Sequence, residues 1–417
     1  MNNSNLAGWK RTFFIIWSGQ AFSLFGSELV QFALVWFLTR QTGSASVLAM
    51  ASFVALLPRV LISPFIGALI DRWNRQRVMI FADLFIAGFT LVLAVIFWQN
   101  RVQVWHIYAI MFIRALGSSF HWPAMQSSTS LMVPKDQLAR ISGMNQTLQG
   151  ILGILAPMTA ALLLDILPMQ GMLAIDILTA LIAITPLLFV VIPQPVKNEG
   201  VTPYAGIGGL IRDVKEGFRY LANWKGMMVL TIAATLLNFL LNPGFTFTPL
   251  LVTQHFGKGA VELSLVEAVF SFGMIAGGIM LSVWGGFKRR IMTTLSGIMG
   301  IAVSTAIIAV AKPSEFLWAA AGMGVTGFMM PITNGPISAI MQAHVEPEIQ
   351  GRVFTMTNSL MSAMIPVSML VAAPVAEWIG IRGWLALASA GCLVIGITCF
   401  CVPELMDVEN PLSKKRN

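Results

Sequence analysis

Long apolar runs recur along the chain and are separated by short polar stretches. Two of them, "SVLAMASFVALLPRVLISPFI" and "VMIFADLFIAGFTLVLAVIFW", flank the polar stretch "GALIDRWNRQR", Gly67 to Arg77. Each run has about 20 residues, the length that an α-helix needs to cross ~30 Å of hydrocarbon at about 1.5 Å per residue. The pattern therefore predicts membrane-spanning helices joined by short loops.

Apolar windows along the whole chain predict about twelve such spans. Their approximate centres are Phe25, Ala55, Phe89, Gly117, Leu152 and Leu181, followed by Leu237, Phe272, Ala302, Met329, Pro366 and Val394. The longest polar connection, Pro193 to Gly226, divides six spans from six. Charges at 212–219 in this connection have the spacing of a short amphipathic helix lying on the membrane surface.

These spans predict an all-α integral membrane protein of two pseudo-symmetric six-helix halves. The first half is expected at 1–192, a central cytoplasmic linker at 193–225, the second half at 226–403 and a cytoplasmic tail at 404–417. Weak internal similarity supports the division, because Val133 aligns with Val345 and Arg140 with Arg352 at one constant offset. Internal repeats of this kind are typical of transporters.

Composition and charge agree with a membrane protein. Hydrophobic residues make up 56% of the chain and charged residues 11%, against about 25% charged in soluble domains. Most of the 26 Lys and Arg residues fall in alternate short loops, which predicts that both termini are cytoplasmic. The first apolar run has no signal cleavage site and is expected to stay in the protein. Anionic lipid is a sufficient partner for the net charge of +8, so no nucleic acid is expected.

The sequence offers no cofactor or metal site. Cys392, Cys399 and Cys401 lie in the last apolar run, where packing is the expected role. The stretch "GMGVTG", Gly322 to Gly327, lies in an apolar span with no strand before it, so its glycines are expected to serve packing rather than dinucleotide binding. The sequence contains no phosphate-binding loop, which leaves an ion gradient as the predicted energy source.

The loop after the second span carries a recognisable spacing. Gly67, Asp71, Arg72, Arg75 and Arg77 fit G-x-x-x-D-R-x-x-R-x-R, which resembles the loop signature of the major facilitator superfamily. The acid can pair with an arginine or a helix N-terminus, and such a cluster can act as a gating latch. The alternative is a plain positively charged loop, although topology alone needs neither the glycine nor the acid.

Span five strengthens the resemblance. "GILGILAPMTAALL", with Gly150, Gly153 and Pro157, resembles the motif of drug/proton antiporters in this superfamily, although Ala156 replaces the usual glycine. Helix packing is the alternative explanation. The whole chain is most similar to the macrolide efflux proteins of bacteria. This resemblance implies a monomeric, proton-coupled exporter of small lipophilic drugs in the bacterial inner membrane, working by alternating access.

Charged residues within spans are candidates for function because their burial is costly. Glu28 in span one and Arg114 in span four correspond to an acid and an arginine that serve proton coupling and substrate recognition in drug exporters of this family. Glu267 at the start of span eight is a weaker candidate for proton coupling. A structural ion pair is the alternative for Glu28 and for Arg114.

Other ionisable residues are expected to be less important. Asp83 is expected to join the arginine-rich loop, and Asp176 to be solvated near the outer turn between spans five and six. His121 could relay protons, because an imidazole titrates near neutral pH, or could be a simple hydrogen-bonded histidine.

Polar residues at helical spacing predict a substrate cavity between the spans. Aromatic and methionine side chains near them could repack around varied apolar ligands, or could serve packing alone. The predicted cavity residues are Gln20, Ser27, Gln31, Ser118, His121, Asn238, Asn242, Met330, Asn334 and Asn358.

Three other functions fit the same pattern less well. A membrane enzyme would need a nucleophile with a base or a metal cluster, and the sequence shows neither. A sensor would have this fold without transporting anything. An importer, or an exporter of an endogenous metabolite or siderophore, is the main alternative, because the direction of transport is not encoded in any motif.

Overall fold

The computed structural model describes residues 9–134, 138–190, 192, 218–345 and 347–409. Ten long helices come first along this part of the chain. They are α1 (Trp9–Thr42), α2 (Ala45–Arg72), α3 (Arg75–Trp98), α4 (Val104–Met132), α5 (Leu138–Leu164), α6 (Met169–Phe189), α7 (Lys225–Thr246), α8 (Ala260–Trp284), α9 (Arg290–Val310) and α10 (Phe316–His344).

The last long helical run, Pro347–Cys401, is broken at Gly380. Gly380 has φ 79° and ψ 160°, a conformation that glycine adopts without the steric penalty of a side chain. The break makes two helices, α11 (347–379) and α12 (381–401). A short α-helical turn (Thr248–Leu250) leads into a π-helical turn (Leu251–His255), and a final turn covers Pro403–Met406.

The predicted all-α membrane fold is confirmed. Within the described residues, nine stretches are long and apolar enough to cross a membrane, and one of these, Leu360–Cys401, contains the break at Gly380. The helices lie at the predicted span centres. That all twelve segments cross the membrane stays a prediction.

The chain divides into two compact units. The first combines Met1–Gln41 with Val54–Pro203, and the second combines Thr42–Phe53 with Tyr204–Asn417. The division at residue 203 falls in the predicted linker, and the amphipathic helix expected at 212–219 lies outside the residues that the structure describes. The domain boundaries given above stay predictions.

In the first unit, α3 packs against α4 and α6. One buried cluster includes Phe13 of α1, Met79 of α3, Met125 of α4 and Leu187 of α6. Gln76 links the start of α3 to the end of α6, because its amide accepts a hydrogen bond from the N–H of Ile192 at 3.1 Å and donates one to the carbonyl of Leu187. These contacts fix the register of the helices that carry the buried polar groups.

In the second unit, α8 and α9 both pack against α10. The backbones of α8 and α10 come close, because a methyl group added at Gly277 would overlap the carbonyl oxygen of Phe328, and one added at Gly273 would overlap that of Gly324. Small residues that allow close backbone approach are typical of helix pairs in membranes, where dispersion replaces the hydrophobic effect.

The internal repeat is visible in local geometry. Val133 ends α4 and Val345 ends α10, both in an extended conformation and both buried. The chain after α12 also packs onto its own unit, where Leu405 and Val408 join the cluster formed by α7, α9 and α10. Residues 404–409 of the predicted tail are therefore part of the second unit.

Candidate functional site

A buried ion pair lies inside the first unit. The guanidinium of Arg114 on α4 donates hydrogen bonds to the carboxylate of Asp176 on α6 and to the hydroxyl of Thr90 on α3. The same carboxylate accepts from Ser27 of α1 at 3.0 Å and from Thr90 at 3.2 Å. We call Ser27, Thr90, Arg114 and Asp176 the outer layer. It joins four helices through one carboxylate.

The prediction that Asp176 is solvated is wrong, because only 1% of the residue is exposed. Helix α6 begins at Met169, so Asp176 lies about two turns inside it rather than at the loop. A charge in such a place needs a partner, and removing one member of a buried pair typically costs about 3–5 kcal/mol.

A second polar group lies in the same unit. Gln20 of α1 donates to Asp83 of α3 at 3.3 Å, and Nε2 of His121 on α4 lies 3.4 Å from the other oxygen of this carboxylate. We call Gln20, Asp83 and His121 the inner layer. The prediction that Asp83 joins the arginine-rich loop is wrong, because α3 begins at Arg75 and Asp83 is buried about two turns further along.

Glu28 follows Ser27 on α1, next to the outer layer. The residue as a whole is exposed, whereas Ser27 is half-buried and bonded to Asp176. Arg114 attracts the Glu28 carboxylate electrostatically. Glu267 is half-buried on α8 in the second unit. The proton-coupling roles of Glu28, Arg114 and Glu267 stay predictions.

The second unit contains a pocket that brings together four of the predicted cavity residues. It has a volume of about 390 Å³ and is lined by Asn238 and Asn242 of α7 and by Met330 and Asn334 of α10. Asn242 donates to the side-chain oxygen of Asn238 at 3.1 Å. The remaining lining is largely apolar and includes Phe245, Phe270, Leu237, Leu241 and Ile298. Such a lining, with a few amides, suits an apolar ligand that carries some polar groups.

The other predicted cavity residues are distributed differently. Gln20 and His121 are buried in the inner layer, and Ser27 in the outer layer holds Asp176. Gln31 is half-buried and Ser118 is exposed. The side chain of Asn358 lies outside the part of the chain that the structure describes. A cavity role for these residues stays a prediction.

The arginine-rich loop is described in part. Asn74 caps α3 by accepting a hydrogen bond from the N–H of Arg77 at 3.1 Å. Arg75 is buried and Arg77 is exposed. The surroundings of Gly67 and the side chains of Asp71 and Arg72 lie outside the part of the chain that the structure describes. The gating latch therefore stays a prediction.

The antiporter-motif helix is α5. Pro157 is buried within it, and Gly150 and Gly153 are half-buried. Their role as an antiporter motif also stays a prediction.

A larger apolar groove, of about 760 Å³, runs between α3 and α4. Phe81, Phe85, Leu116 and Phe120 line it, and Phe81 is 70% exposed. None of the described residues that line this groove is an acid, and none belongs to the two polar layers. Among the described residues, no three His, Cys, Asp or Glu side chains meet as a possible metal site.

Sequence reasoning missed Asp176, Asp83 and Thr90 as members of polar layers. The available signal was position, because each lies about two turns or more inside its helix rather than at the helix end. An acid at such depth predicts a buried partner.

Comparison with known proteins supports the fold and the family. Residues 16–369 match the family model of the Major Facilitator Superfamily. Macrolide efflux protein A of Streptococcus pyogenes is 34% identical over 402 residues, which cover 96% of this chain and 98% of that protein. Macrolide efflux protein A of Enterococcus faecalis is 34% identical over 328 residues, which cover 78% of this chain and 100% of that protein.

Among solved structures, a bacterial homologue of the iron transporter ferroportin, crystallised in an inward-facing state, superposes with a TM-score of 0.73. It is 13% identical and covers 96% of this chain and 99% of its own, so this likeness concerns the fold alone. The chain is a multi-pass membrane transporter that belongs to the major facilitator superfamily.

Proposed function

We propose that this transporter exports lipophilic drugs of the macrolide type in exchange for protons, by alternating access. The observation that carries the proposal is the 34% identity to Macrolide efflux protein A of Streptococcus pyogenes along almost the whole of both chains. The buried charges of the first unit and the amide-lined pocket of the second support it.

The charges around Arg114 favour proton binding at Glu28. Asp176 and Glu28 are two acids near one guanidinium, so the group carries a net negative charge when both acids are ionised. The hydrogen bonds from Arg114 go to Asp176 and Thr90, whereas Glu28 as a whole residue is exposed. A proton on Glu28 would neutralise the group, and a neutral group is less costly at membrane depth.

The pocket in the second unit supports a lipophilic substrate. Phe245, Phe270 and Met330 provide an adaptable apolar surface, and the amides of Asn238 and Asn242 can bind hydroxyl or carbonyl groups. A macrolide offers both kinds of surface. The pocket would hold part of such a ligand.

A proton gradient is sufficient to drive this exchange. One elementary charge moving down ~100 mV supplies about 2.3 kcal/mol. About 1.4 kcal/mol corresponds to a tenfold concentration ratio. If each exchange moves one net charge, this energy therefore supports a drug concentration gradient of roughly fifty-fold.

Inverted membrane vesicles test the function and its direction. We expect a radiolabelled macrolide to accumulate inside them when the lumen is acidified, and to leave after an uncoupler is added. A sodium gradient without a pH gradient should have no effect. Uptake into right-side-out vesicles instead would show import, and accumulation that follows sodium would refute proton coupling.

Replacing Glu28 tests the proton carrier. We expect Glu28→Gln to abolish macrolide accumulation driven by a pH gradient and the proton release that follows ligand addition in detergent. Downhill equilibration should continue, because the amide mimics the protonated acid and does not block movement of the helices. Glu28→Asp should retain part of the activity.

Glu267→Gln is the matched variant in the second unit. We expect it to keep proton release near the wild-type level. If release persists in Glu28→Gln and is lost in Glu267→Gln, Glu267 is the carrier instead.

A further inference from the structure

The two polar layers of the first unit have a regular geometric relation. Along α1, Gln20 precedes Ser27 by seven positions, and along α3, Asp83 precedes Thr90 by seven. Along α4, His121 follows Arg114 by seven. Seven residues of helix span about 10.5 Å, or two turns. The inner layer therefore repeats the outer layer at a distance of about two turns on three helices.

The inner layer is buried and only partly hydrogen-bonded. Gln20 is 2% exposed, Asp83 4% and His121 8%. Within the described part of the chain, the side-chain oxygen of Gln20 accepts no hydrogen bond, and Nε2 of His121 forms none although it lies 3.4 Å from Asp83. Buried polar atoms are normally paired with protein or with ordered water.

A small cavity is lined by both of these residues. It has a volume of about 20 Å³, and its polar lining comes from Gln20, His121, Thr129, Asn145 and Gln149. One water molecule needs about 10–15 Å³ of such volume and two to four polar partners. The cavity thus has room for a single water beside the side chains of Gln20 and His121. Gln149 is exposed, so the lining continues to the surface of the unit.

We propose that His121, paired with Asp83, is a second proton-binding site, which exchanges its proton with one water in this cavity. The water gives a proton to Nε2 of the imidazole and takes one from the solvent beyond Gln149, so it stays neutral. The Asp83 carboxylate neutralises the imidazolium that forms, and release of the proton runs in reverse. This role rests on the proposed function, because an exporter driven by protons must exchange them between its buried groups and water.

Among the described residues that line this cavity or contact the ring, Asp83 is the only charged neighbour of His121. Gln20 and Trp17 face it from α1, Asp83 from α3, and Asn145 and Gln149 from α5. The ion pair of Arg114 and Asp176 lies about two turns away along α4. Among the described residues, Asp83 therefore supplies the counter-charge for a protonated ring.

Nuclear magnetic resonance tests the site without transport. The protein labelled with ¹⁵N-histidine contains four imidazoles, and the signals of His121 are those lost in His121→Gln. We expect its ring nitrogens to change protonation between pH 5 and 9, with a midpoint at lower pH in Asp83→Asn, because the imidazolium loses its counter-ion. A ring that keeps one state across this range overturns the proposal, whatever the transport result.

Transport measurements separate this site from the proposed function. We expect His121→Gln to lower pH-driven macrolide uptake at least tenfold, while downhill exchange stays within twofold. Ser128→Ala, which removes a buried hydroxyl bonded to its own helix, is the control and should retain uptake.

The outcomes are distinguishable. If the wild-type protein shows no pH-driven uptake, the proposed function is refuted. The resonance titration then still tests whether His121 binds a proton. Wild-type uptake that is unchanged in a folded His121→Gln variant overturns the second site alone. If that variant fails to elute as a single species from size-exclusion chromatography, Asp83→Asn is measured in its place.

Discussion

At the residue scale, the outer layer depends on one carboxylate. Asp176 accepts hydrogen bonds from side chains of α1, α3 and α4, and it is the counter-ion of a buried guanidinium. Its loss leaves the buried Arg114 charged without this counter-ion. The pair should therefore matter for folding as well as for transport.

We expect Asp176→Asn to destabilise the protein by about 3–5 kcal/mol and to abolish export. The measurement is thermal unfolding in detergent, followed by tryptophan fluorescence. Asp165→Asn is the control, because this acid belongs to the same region of the chain but is exposed. A double variant, Arg114→Gln with Asp176→Asn, should recover part of the stability, since neither member of the buried pair is left charged without the other. Equal unfolding temperatures for Asp176→Asn and the wild type would contradict this role.

Sequence reasoning identified Arg114 as a functional candidate but not its partner. Asp176 is far from Arg114 along the chain, and its proximity depends on how α3, α4 and α6 pack. The same is true of Asp83 and His121. Apolar periodicity shows that a charge is buried, whereas the pairing of charges on different helices depends on tertiary structure.

At the element scale, the packing of α8 on α10 depends on the absence of side chains. An added methyl group at Gly277 would overlap the backbone of Phe328, whereas one at Gly278 would meet no atom within 4 Å. Both glycines lie within the same helix.

These neighbours form a matched pair of variants. We expect Gly277→Ala to lower stability by about 1–3 kcal/mol through overpacking. Gly278→Ala should be neutral or should raise stability by up to about 1 kcal/mol, because alanine favours the helix. The measurement is again thermal unfolding, supported by expression level. A larger loss in Gly278→Ala than in Gly277→Ala would show that close packing does not limit stability here.

The positions of the helices were predictable from the sequence because membrane spans need long apolar runs. The predicted centres of spans eleven and twelve, Pro366 and Val394, fall on either side of the break at Gly380. The π-helical turn Leu251–His255 was not predicted, because its hydrogen bonds depend on local backbone geometry rather than on apolar periodicity.

At the scale of the whole molecule, the proposed orientation follows from the distribution of Lys and Arg among the loops. Lys258 and Lys288 offer a test, because both are exposed and they flank the two ends of α8. The positive-inside rule places Lys288 in the cytoplasm and Lys258 outside.

We expect Lys258→Cys to react with a membrane-impermeant maleimide in intact cells, and Lys288→Cys to react only after permeabilisation. Both variants are made with Cys392, Cys399 and Cys401 replaced by alanine, and the unsubstituted background is the control. The reverse pattern would place the termini outside the cell.

The two-unit architecture was predictable in outline from the long central linker and the internal repeat. The assignment of Thr42–Phe53 to the second unit was not predictable, because a single helix, α2, contributes to both. Hydropathy gives the length of a helix but not the neighbours that each of its turns will have.

The close packing of α8 on α10 also has a consequence for biosynthesis. Gly277 and Phe328 are separated by roughly 50 residues. At about 5–20 residues per second, the ribosome needs on the order of 3–10 s to synthesise this segment. During that interval α8 must reside in the bilayer before its partner exists, with lipid against the backbone surface left open by its glycines. Translation speed across α9 thus sets how long this surface waits for its partner.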